Sequence, residues 1–536
     1  MIFQRTQPST PKRRSIVARR FSPRFGRSCI AWPKTAAKAR SYFCQTLRST
    51  GLLAAVCILS ACATSPDRSP DPAIETPETW TTGTAPTQPT AWLADLQSPE
   101  LEGFVAEALA QNPGLEATAA RFAQSLAEAR IAGADRLPSA GLGLNGARQQ
   151  ISTFGPTSTG GVIFENYDLA LNLRWELDLW GRLRDRSAAA LARVDASQAD
   201  FAAARLSLAA QTAKAWLNLI EAQEQLALAE RNAQAYRDNQ AAIESRFQRG
   251  LSDGFELRRI RTQAAAAQAD ISSRQAALDQ SIRTLETILG RYPSAALEAG
   301  ATLPGLPAAV PAGLPADLLQ RRPDLIAAER QLAATEREQS ADRKERLPQI
   351  SLTASGGTAS QSVSNLLNGD FSVWTLAGNL TQPIFQGGRI RANIDRSAAL
   401  RDQAAANYRD TALRAFFEVE TTLAAEQFLR REQAQLKIAA DEATAAEALA
   451  WERYSQGTGD FLSALDAQRT ADNTRSRLLS TDNRLLQNRI DLYLALGGDF
   501  LDQKPYSQVV GSLAQPPAPV PKDDDTNRAA EPTRLR

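Results

Sequence analysis

The chain has 536 residues, a formal net charge of +2 and only 6% aromatic residues. A charge this close to neutral gives no indication of a nucleic-acid partner, and the sequence contains no base-reading or RNA-binding motif. Histidine is absent, and all four cysteines precede residue 63. A Ser-His-Asp triad is therefore excluded, and we expect no disulfide framework, no metal site, no cofactor and no enzymatic activity.

A short apolar run at 51–59 ends in the sequence Leu59-Ser60-Ala61-Cys62. The run is too short to span a bilayer but suits the hydrophobic region of a signal peptide. The residues at its end resemble a bacterial lipobox, which predicts that 1–61 is a signal peptide and that Cys62 is acylated. The basic first fifty residues indicate either a misplaced start codon or a real extension. A signal peptide followed by an incidental cysteine is the alternative.

The stretch after the cysteine is rich in Ser, Thr and Pro. Residues 63–90 predict an extended, mobile linker, within a lipid-anchored segment that we place at 62–95. In the lipobox resemblance, Ala63 in place of Asp after the cysteine implies sorting to the outer membrane. At the other end of the chain, 501–536 is predicted to be a disordered tail.

One stretch of the sequence predicts an unusually long helix. Between Gly181 and Gly250 there is no other Gly and no Pro, and apolar or aromatic residues recur at every seventh position. A heptad sustained this far predicts a coiled-coil-like helix of roughly 100 Å, which needs partners along its whole length. The residues in the heptad are Val194, Phe201, Leu208, Ala215, Ala222, Ala229, Tyr236 and Ile243.

A second stretch of the same length, Gly388 to Gly457, also lacks internal Gly and Pro. Its start lies 207 residues after Gly181, and the Arg-Leu-Pro sequence at 136–138 returns 210 residues later at 346–348. A register that slips by only three residues indicates a duplication. We therefore predict a first repeat at 96–315, which ends in a Pro- and Ala-rich connector, and a second repeat at 316–500.

In each repeat the period changes to two ahead of the long helix. The segments 141–148 and 167–180 in the first repeat, and 350–356 and 374–385 in the second, are predicted strands. A membrane barrel must close and needs about eight strands, so four strands could form one only if several copies contribute. Two small soluble hairpins packed on the helices are the alternative.

Three tryptophans lie at the ends of the predicted strands or the starts of the long helices. They are Trp175, Trp180 and Trp374. An aromatic girdle at a membrane interface and ordinary packing at the strand–helix junction are both open interpretations.

Each long helix is followed by a short glycine turn and a second helix, predicted at about 255–289 and 461–496. Glycine ends a helix readily, and Asp caps the next one, so we expect Asp253 and Asp460 to act as N-caps. The two turns are Gly250-Leu251-Ser252-Asp253-Gly254 and Gly457-Thr458-Gly459-Asp460.

Five motifs lie in order between 321 and 469, and they carry a resemblance to a known family that covers about 90–500. They are Arg321-Arg322-Pro323-Asp324-Leu325, Arg346-Leu347-Pro348, Gln382 to Arg389, Arg453 to Gly457, and Leu465 to Arg469. With the lipobox and the repeated order of elements, the sequence resembles the outer-membrane factors of tripartite efflux pumps, the TolC/OprM family, and most closely its NodT-type lipoproteins.

This resemblance implies a mainly α fold with a small β part. It implies a homotrimer in which three chains form a twelve-stranded outer-membrane β-barrel and their long helices form an α-barrel in the periplasm. The implied partners are a periplasmic adaptor, an inner-membrane RND transporter and outer-membrane lipid, but no nucleic acid. The channel would be passive. A lipid-anchored coiled-coil lipoprotein without a pore, or the outer-membrane factor of a type I secretion system, is the alternative.

The resemblance also implies roles for the turns. The residues of both turns, from Gly250 to Gly254 and from Gly457 to Asp460, are the expected adaptor contact. Asp466 lies at a position where the family places an acidic ring, and Glu256 occupies the related place in the first hairpin. Three carboxylates at one axis would attract cations. Where some members carry a basic residue, this chain has Gly459, which argues against a closed-state salt bridge there.

Overall fold

The computed structural model describes residues 77, 80–81, 92–152, 161–300, 302–307, 315 and 318–498. All of them fall within the unit 70–536. Cys62, the predicted signal peptide and the predicted tail lie outside the described residues, so the interpretations of those segments stay predictions.

The described part of the chain forms nine α-helices and four β-strands, and two short 3-10 segments lie between the last two strands. The elements in chain order are α1 (Trp92–Asp95), α2 (Pro99–Gln111), α3 (Pro113–Ala134), β1 (Ser139–Ser152), β2 (Gly161–Leu177), α4 (Arg182–Gln248), α5 (Gly254–Ile288), α6 (Leu318–Arg321), α7 (Pro323–Lys344), β3 (Gln349–Ser360), β4 (Ser372–Thr381), α8 (Arg389–Ser455) and α9 (Phe461–Ala495).

The structure confirms the two long helices that the sequence predicts. Helices α4 and α8 have 67 residues each, and the helices that follow them, α5 and α9, have 35 each. At ~1.5 Å per residue, each long helix extends roughly 100 Å. Both begin directly after a left-handed glycine, Gly181 at φ 76° and Gly388 at φ 83°, a conformation that other residues adopt only with strain.

The heptad of α4 is the buried face of that helix. Seven of its eight positions are buried, from Val194 to Ile243, and Ala222 is half-buried. Helix α4 packs against α3, α5, α7 and α9, so its core-facing positions are covered by several neighbours. Burial of each large apolar side chain contributes about 1.5–3 kcal/mol, which explains why the seven-residue interval is kept over the whole length.

One of the five motifs has a structural explanation. Arg322 is almost fully buried where α7 begins, and its guanidinium contacts Asp324 at 2.7 Å and Glu418 at 2.7 Å. It also donates to the carbonyl oxygen of Ala495 at 3.0 Å. This arginine therefore ties the start of α7 to α8 and to the end of α9.

Two tryptophans of the predicted linker pack on the helical core. Trp80 is 5% exposed and lies 6.2 Å from the ring of Phe416, ring centroid to ring centroid. Trp92 is 1% exposed and stacks on Tyr493 at 5.6 Å. The indole ring of Trp80 thus has an apolar site on α8, and most of the predicted mobile segment 63–90 lies outside the described residues.

The strands form one antiparallel sheet in the order β1-β2-β3-β4. The two hairpins join through β2 and β3, where Gly357 faces Leu169 so closely that a Cβ would overlap the Leu169 carbonyl oxygen. Glycine is required at this position because the two backbones approach each other there. The four predicted strands are confirmed, but the alternative of two separate small hairpins does not describe this sheet.

The strand bounds differ from the sequence-based ones. β2 begins at Gly161 because its first residues pair with the end of β1, although the apolar run there hides the alternation. It ends at Leu177 because Asp178 accepts hydrogen bonds from the backbone N–H groups of Leu183 (3.1 Å) and Arg184 (2.8 Å) at the start of α4. β4 ends at Thr381, two residues before Pro383, which has no N–H to pair.

Candidate functional site

Both helical hairpins end in the same kind of turn. Gly250 (φ 72°) donates to the carbonyl oxygen of Phe247 at 2.9 Å, and Leu251 donates to that of Arg246 at 2.9 Å. In the second turn Gly457 (φ 75°) and Thr458 make the corresponding bonds, at 3.1 and 3.0 Å. This is the Schellman arrangement, in which a left-handed glycine satisfies the last carbonyl groups of a helix.

The two aspartates of the turns are N-caps, as predicted. A side-chain oxygen of Asp253 accepts from the backbone N–H of Glu256 at 2.8 Å, and Asp460 accepts from that of Ser463 at 2.9 Å. The hydroxyl of Ser463 also donates to Asp460 at 2.5 Å. These hydrogen bonds, the hydroxyl first, lower the pKa of Asp460. The carboxylates are therefore engaged in helix starts.

The remaining turn residues present a small, partly apolar tip. Leu251 is 59% exposed, and the hydroxyl of Thr458 donates to the carbonyl oxygen of Arg453 at 3.2 Å. A Cβ at Gly459 would lie 3.0 Å from the Cβ of Arg453, so this turn is crowded for a side chain. At Gly254 the nearest neighbour of such a Cβ lies 4.0 Å away, so the first turn leaves more space.

Glu256 joins the two turns. Its Oε2 accepts a hydrogen bond from the hydroxyl of Tyr454 at 2.9 Å and another from Ser252. Burial and this carboxylate raise the pKa of Tyr454. The guanidinium of Arg246 lies 4.9 Å from the centre of the Tyr454 ring and donates to the carbonyl oxygen of Ser455 at 3.4 Å. We call the contacts among Arg246, Ser252, Glu256 and Tyr454 the tip clasp.

Asp466 is placed differently. Its side chain is 77% exposed, and its carboxylate lies 4.0 Å from the guanidinium of Arg469, one turn further along α9. An ion pair at this distance between two exposed groups contributes little to stability. The structure thus does not bring the two predicted gate residues together: Glu256 is bound within the tip clasp, and Asp466 faces solvent.

An aromatic cluster from α8 and α9 packs around the tyrosine of the tip clasp. Trp451 and Phe461 lie 5.8 and 5.8 Å from the Tyr454 ring, centroid to centroid, and 6.4 Å from each other. Ile243 and Leu465 are buried in the same apolar cluster. The ring of Tyr454 is therefore fixed by packing while its hydroxyl is directed at Glu256.

Further along both helices from the turns, a polar interface joins α4 and α9. Tyr236 donates to Asp472 at 3.1 Å, and Asn239 donates to Gln468 at 3.1 Å. The pKa of Asp472 is raised to about 6: burial raises it most, the hydrogen bond from Tyr236 lowers it, the charge of Glu447 raises it and that of Arg475 lowers it. The sequence does not predict this interface, because its partners are more than 200 residues apart in the chain and lie on two different helices.

The sheet has one apolar and one polar face. Directly paired residues point to the same side, and the pairs Leu142–Leu171 and Ala354–Leu376 lie on the apolar face. Exposed members of that face include Leu142 (73%), Leu376 (71%) and Trp374 (80%). On the other face Asn145 donates to Asp168 at 2.9 Å.

The three tryptophans differ in their hydrogen bonds and in their exposure. The indole N–H of Trp175 donates to the carbonyl oxygen of Arg136 at 3.0 Å, and that of Trp180 donates to that of Pro348 at 2.7 Å. Both indole N–H groups are therefore held at the strand–helix junction. Trp175 (36% exposed) and Trp374 (80% exposed) both lie on the apolar face of the sheet.

Among the described residues, no group of three or more Asp, Glu, Cys or His side chains is placed to hold a metal ion. None of the described helices combines the length and the hydrophobicity that crossing a membrane requires.

Comparison with known proteins identifies relatives along most of the chain. The model of the family described as "Outer membrane efflux protein" matches residues 104–291 and 314–498. The probable efflux pump outer membrane protein SepC of Pseudomonas putida is 33% identical over 411 residues, which cover 76% of this chain and 85% of SepC. Outer membrane protein OprJ of Pseudomonas aeruginosa is 32% identical over 448 residues, 82% of this chain and 93% of OprJ.

Solved structures show the same fold. A membrane protein from Pseudomonas aeruginosa matches with a TM-score of 0.76 and 30% identity, over 80% of this chain and 99% of that protein. The crystal structure of CusC, the name of a cation efflux system protein in Escherichia coli, matches with a TM-score of 0.73 and 28% identity, over 82% of this chain and 100% of that protein.

Proposed function

Because the chain belongs to the outer membrane efflux protein family, we propose that it is the outer-membrane channel of a tripartite efflux system whose transporter is of the RND type. The observation that carries the proposal is the exposed apolar face of the sheet at the end of two helical hairpins of roughly 100 Å. An exposed apolar face of this size is usually covered by another protein surface or by lipid. If lipid covers it, the opposite, polar face can line an aqueous passage.

The sheet cannot span a membrane by itself. Strands β1 and β4 each have one edge unpaired among the described residues, and an open edge within lipid leaves backbone groups unsatisfied at a cost of several kcal/mol each. Pairing β1 of one copy with β4 of the next would close the sheet. Three copies would give a twelve-stranded barrel, above the minimum of about eight strands for a closed membrane barrel.

In this proposal the long helices of the three copies form an α-barrel in the periplasm. The equal lengths of α4 and α8, and of α5 and α9, support the duplication inferred at 96–315 and 316–500. The adaptor would contact the two turns, from Gly250 to Gly254 and from Gly457 to Asp460. The channel has no chemistry of its own, and the inner-membrane transporter supplies the energy.

The tip clasp would hold the closed state. Because Tyr454 and Arg246 connect the turns of two different hairpins, release of these contacts would let one hairpin move away from the other. The exposed carboxylate of Asp466 is available to meet its two copies near the axis, where a ring of like charges attracts cations.

Cys62 would carry the lipid that anchors the mature chain to the outer membrane, after removal of 1–61. A Cys62→Ala variant is expected to lose incorporation of labelled palmitate, while a Cys57→Ala variant, altered within the apolar run, keeps it. Labelling of the Cys62→Ala variant at the wild-type level would contradict lipidation at this residue.

The channel itself is tested with the full-length protein extracted in detergent. We expect a trimer by mass photometry and discrete single-channel currents after reconstitution in planar bilayers. A monomer, or a trimer that conducts no ions even when the tip clasp is removed, would contradict the proposal and favour a structural lipoprotein without a pore.

A further inference from the structure

A basic groove lies where the sheet meets the second long helix. It has a volume of about 330 Å³, and its lining includes three arginines and two exposed apolar side chains. Ile384 is 95% exposed and Phe385 is 88% exposed. The arginines are Arg346, Arg389 and Arg391. Charge and apolar surface therefore occur side by side in one concave site.

Among the described residues, no carboxylate forms an ion pair with the arginines of this groove. Arg389 donates to the side-chain oxygen of Gln386 at 2.5 Å, which is a neutral group. The guanidinium groups of Arg346 and Arg391 make no ion pair with any described residue, and both residues are exposed. An anion that enters the groove would meet three positive charges and no competing carboxylate among the lining residues.

The corresponding junction of the first repeat is built differently. There Arg182 is paired with Glu176 at 2.7 Å, and Asp178 caps the start of α4. At the offset of 207, Arg389 and Arg391 correspond to Arg182 and Arg184. Pro383 and Phe385 stand where the first junction has the acids Glu176 and Asp178. At the second junction, arginines without an ion-pair partner among the described residues therefore lie beside the exposed ring of Phe385.

We propose that this groove binds the headgroup of an anionic glycerophospholipid, with its acyl chains along Ile384 and Phe385. The proposal rests on the proposed function, which places the ends of the strands at the periplasmic surface of the outer membrane. Arginine suits a phosphodiester because its planar fork donates two hydrogen bonds at once. A basic residue near an anionic lipid surface contributes up to about fivefold in affinity, since its free energy there is ~1 kcal/mol.

The test measures lipid preference of the full-length detergent-extracted protein by native mass spectrometry. The probes are phosphatidylglycerol and phosphatidylcholine with identical acyl chains. We expect the wild type to retain phosphatidylglycerol at least tenfold more tightly than phosphatidylcholine. The triple variant R346Q/R389Q/R391Q is expected to lose this preference to within twofold.

Two further variants keep the test interpretable. R121Q/R130Q/R231Q removes the same charge from exposed helical positions and is expected to keep the wild-type preference. I384S/F385S is expected to weaken both lipids while the ratio between them stays above about fivefold, since the arginines remain. Before the lipid measurement, each variant is checked to be a trimer with the helix content of the wild type.

Three results would overturn the lipid site. They are a wild type without preference, a preference that survives R346Q/R389Q/R391Q, and a photocrosslinker at position 385 that joins two copies of the chain instead of labelling lipid. If the trimer conducts ions and any of these is found, the channel proposal stands and the lipid site falls. If no trimer or current is obtained, the channel proposal itself fails.

Discussion

The hydroxyl of Tyr454 in α8 donates a hydrogen bond of 2.9 Å to Glu256 in α5, although the two residues are 198 positions apart in the chain. The bond joins the turns of two hairpins, and Arg246 adds a contact to the same tyrosine ring. Because the aromatic ring is held by Trp451 and Phe461, the hydroxyl has little freedom to turn elsewhere. Movement of one turn away from the other therefore has to break this bond.

Replacement of Tyr454 by Phe removes the donor and keeps the aromatic packing. A hydrogen bond to a charged group contributes about 1.5–3 kcal/mol, so its loss in each copy should favour the open tip by roughly tenfold or more. We expect single-channel currents of Tyr454→Phe in planar bilayers to exceed those of the wild type severalfold.

The matched control for this substitution is Tyr292→Phe, which alters a tyrosine that is 85% exposed. It is expected to conduct like the wild type. Equal conductance of Tyr454→Phe and Tyr292→Phe would show that the tip clasp does not hold the channel closed.

Replacement of Asp466 by Asn tests the proposed acidic ring. Its carboxylate is exposed in the single chain, and three copies near one axis would favour cations over anions. Asp466→Asn should lower the cation-to-anion permeability ratio severalfold, as measured from reversal potentials in asymmetric KCl. Asp270→Asn removes the same charge from an exposed position on α5, beside Arg274, and should leave the ratio unchanged. A ratio that does not change in Asp466→Asn would place this residue away from the conducting path.

Replacement of Ile243 by Ala tests the heptad at the tip end of α4. Ile243 is fully buried in the cluster with Tyr236 and Leu257, so the change leaves a cavity. We expect a loss of about 2–4 kcal/mol in the free energy of unfolding and a lower midpoint in thermal unfolding followed by circular dichroism. The same change at Ile131, which is 67% exposed, should shift the midpoint little. Similar shifts for the two variants would argue against the heptad as a core.

Local rules were sufficient to predict much of this fold from the sequence. The helices between Gly181 and Gly250 and between Gly388 and Gly457 follow from the absence of internal Gly and Pro, and the first also from a heptad that is buried in the structure. The N-caps at Asp253 and Asp460 also follow locally, because an N-cap bonds to a backbone group only three residues away.

The contacts that sequence analysis missed depend on long-range geometry. The family resemblance marks Glu256 as a candidate gate residue, but only the packing of α8 beside it reveals Tyr454 as its partner. Trp80 belongs to a composition typical of a linker, yet a single aromatic ring is enough to dock there on Phe416. Composition and periodicity describe each segment alone, and neither specifies which side chain of a distant segment will meet it.

The buried carboxyl group of Asp472 predicts a stability that depends on pH. Its pKa is raised from 3.8 to about 6 in the folded chain, mainly by burial, so the folded state binds the proton more tightly than the unfolded one. Stability from this group is therefore full below about pH 4 and is lost as the pH rises through about 6. Asp472→Asn keeps an acceptor for Tyr236 and removes the buried charge.

We accordingly expect Asp472→Asn to be more stable than the wild type at pH 7.5, by up to about 2–3 kcal/mol per chain, because the variant avoids burial of a charge. The advantage should disappear near pH 4.5, where the wild-type carboxyl group is protonated. Arg475 keeps Glu447 as its partner at 2.6 Å in the variant, so no second charge is left unpaired. Thermal unfolding midpoints at the two pH values measure the difference, with Asp482→Asn on the same helix as the control. An advantage of equal size at both pH values would rule out titration of Asp472 as its cause.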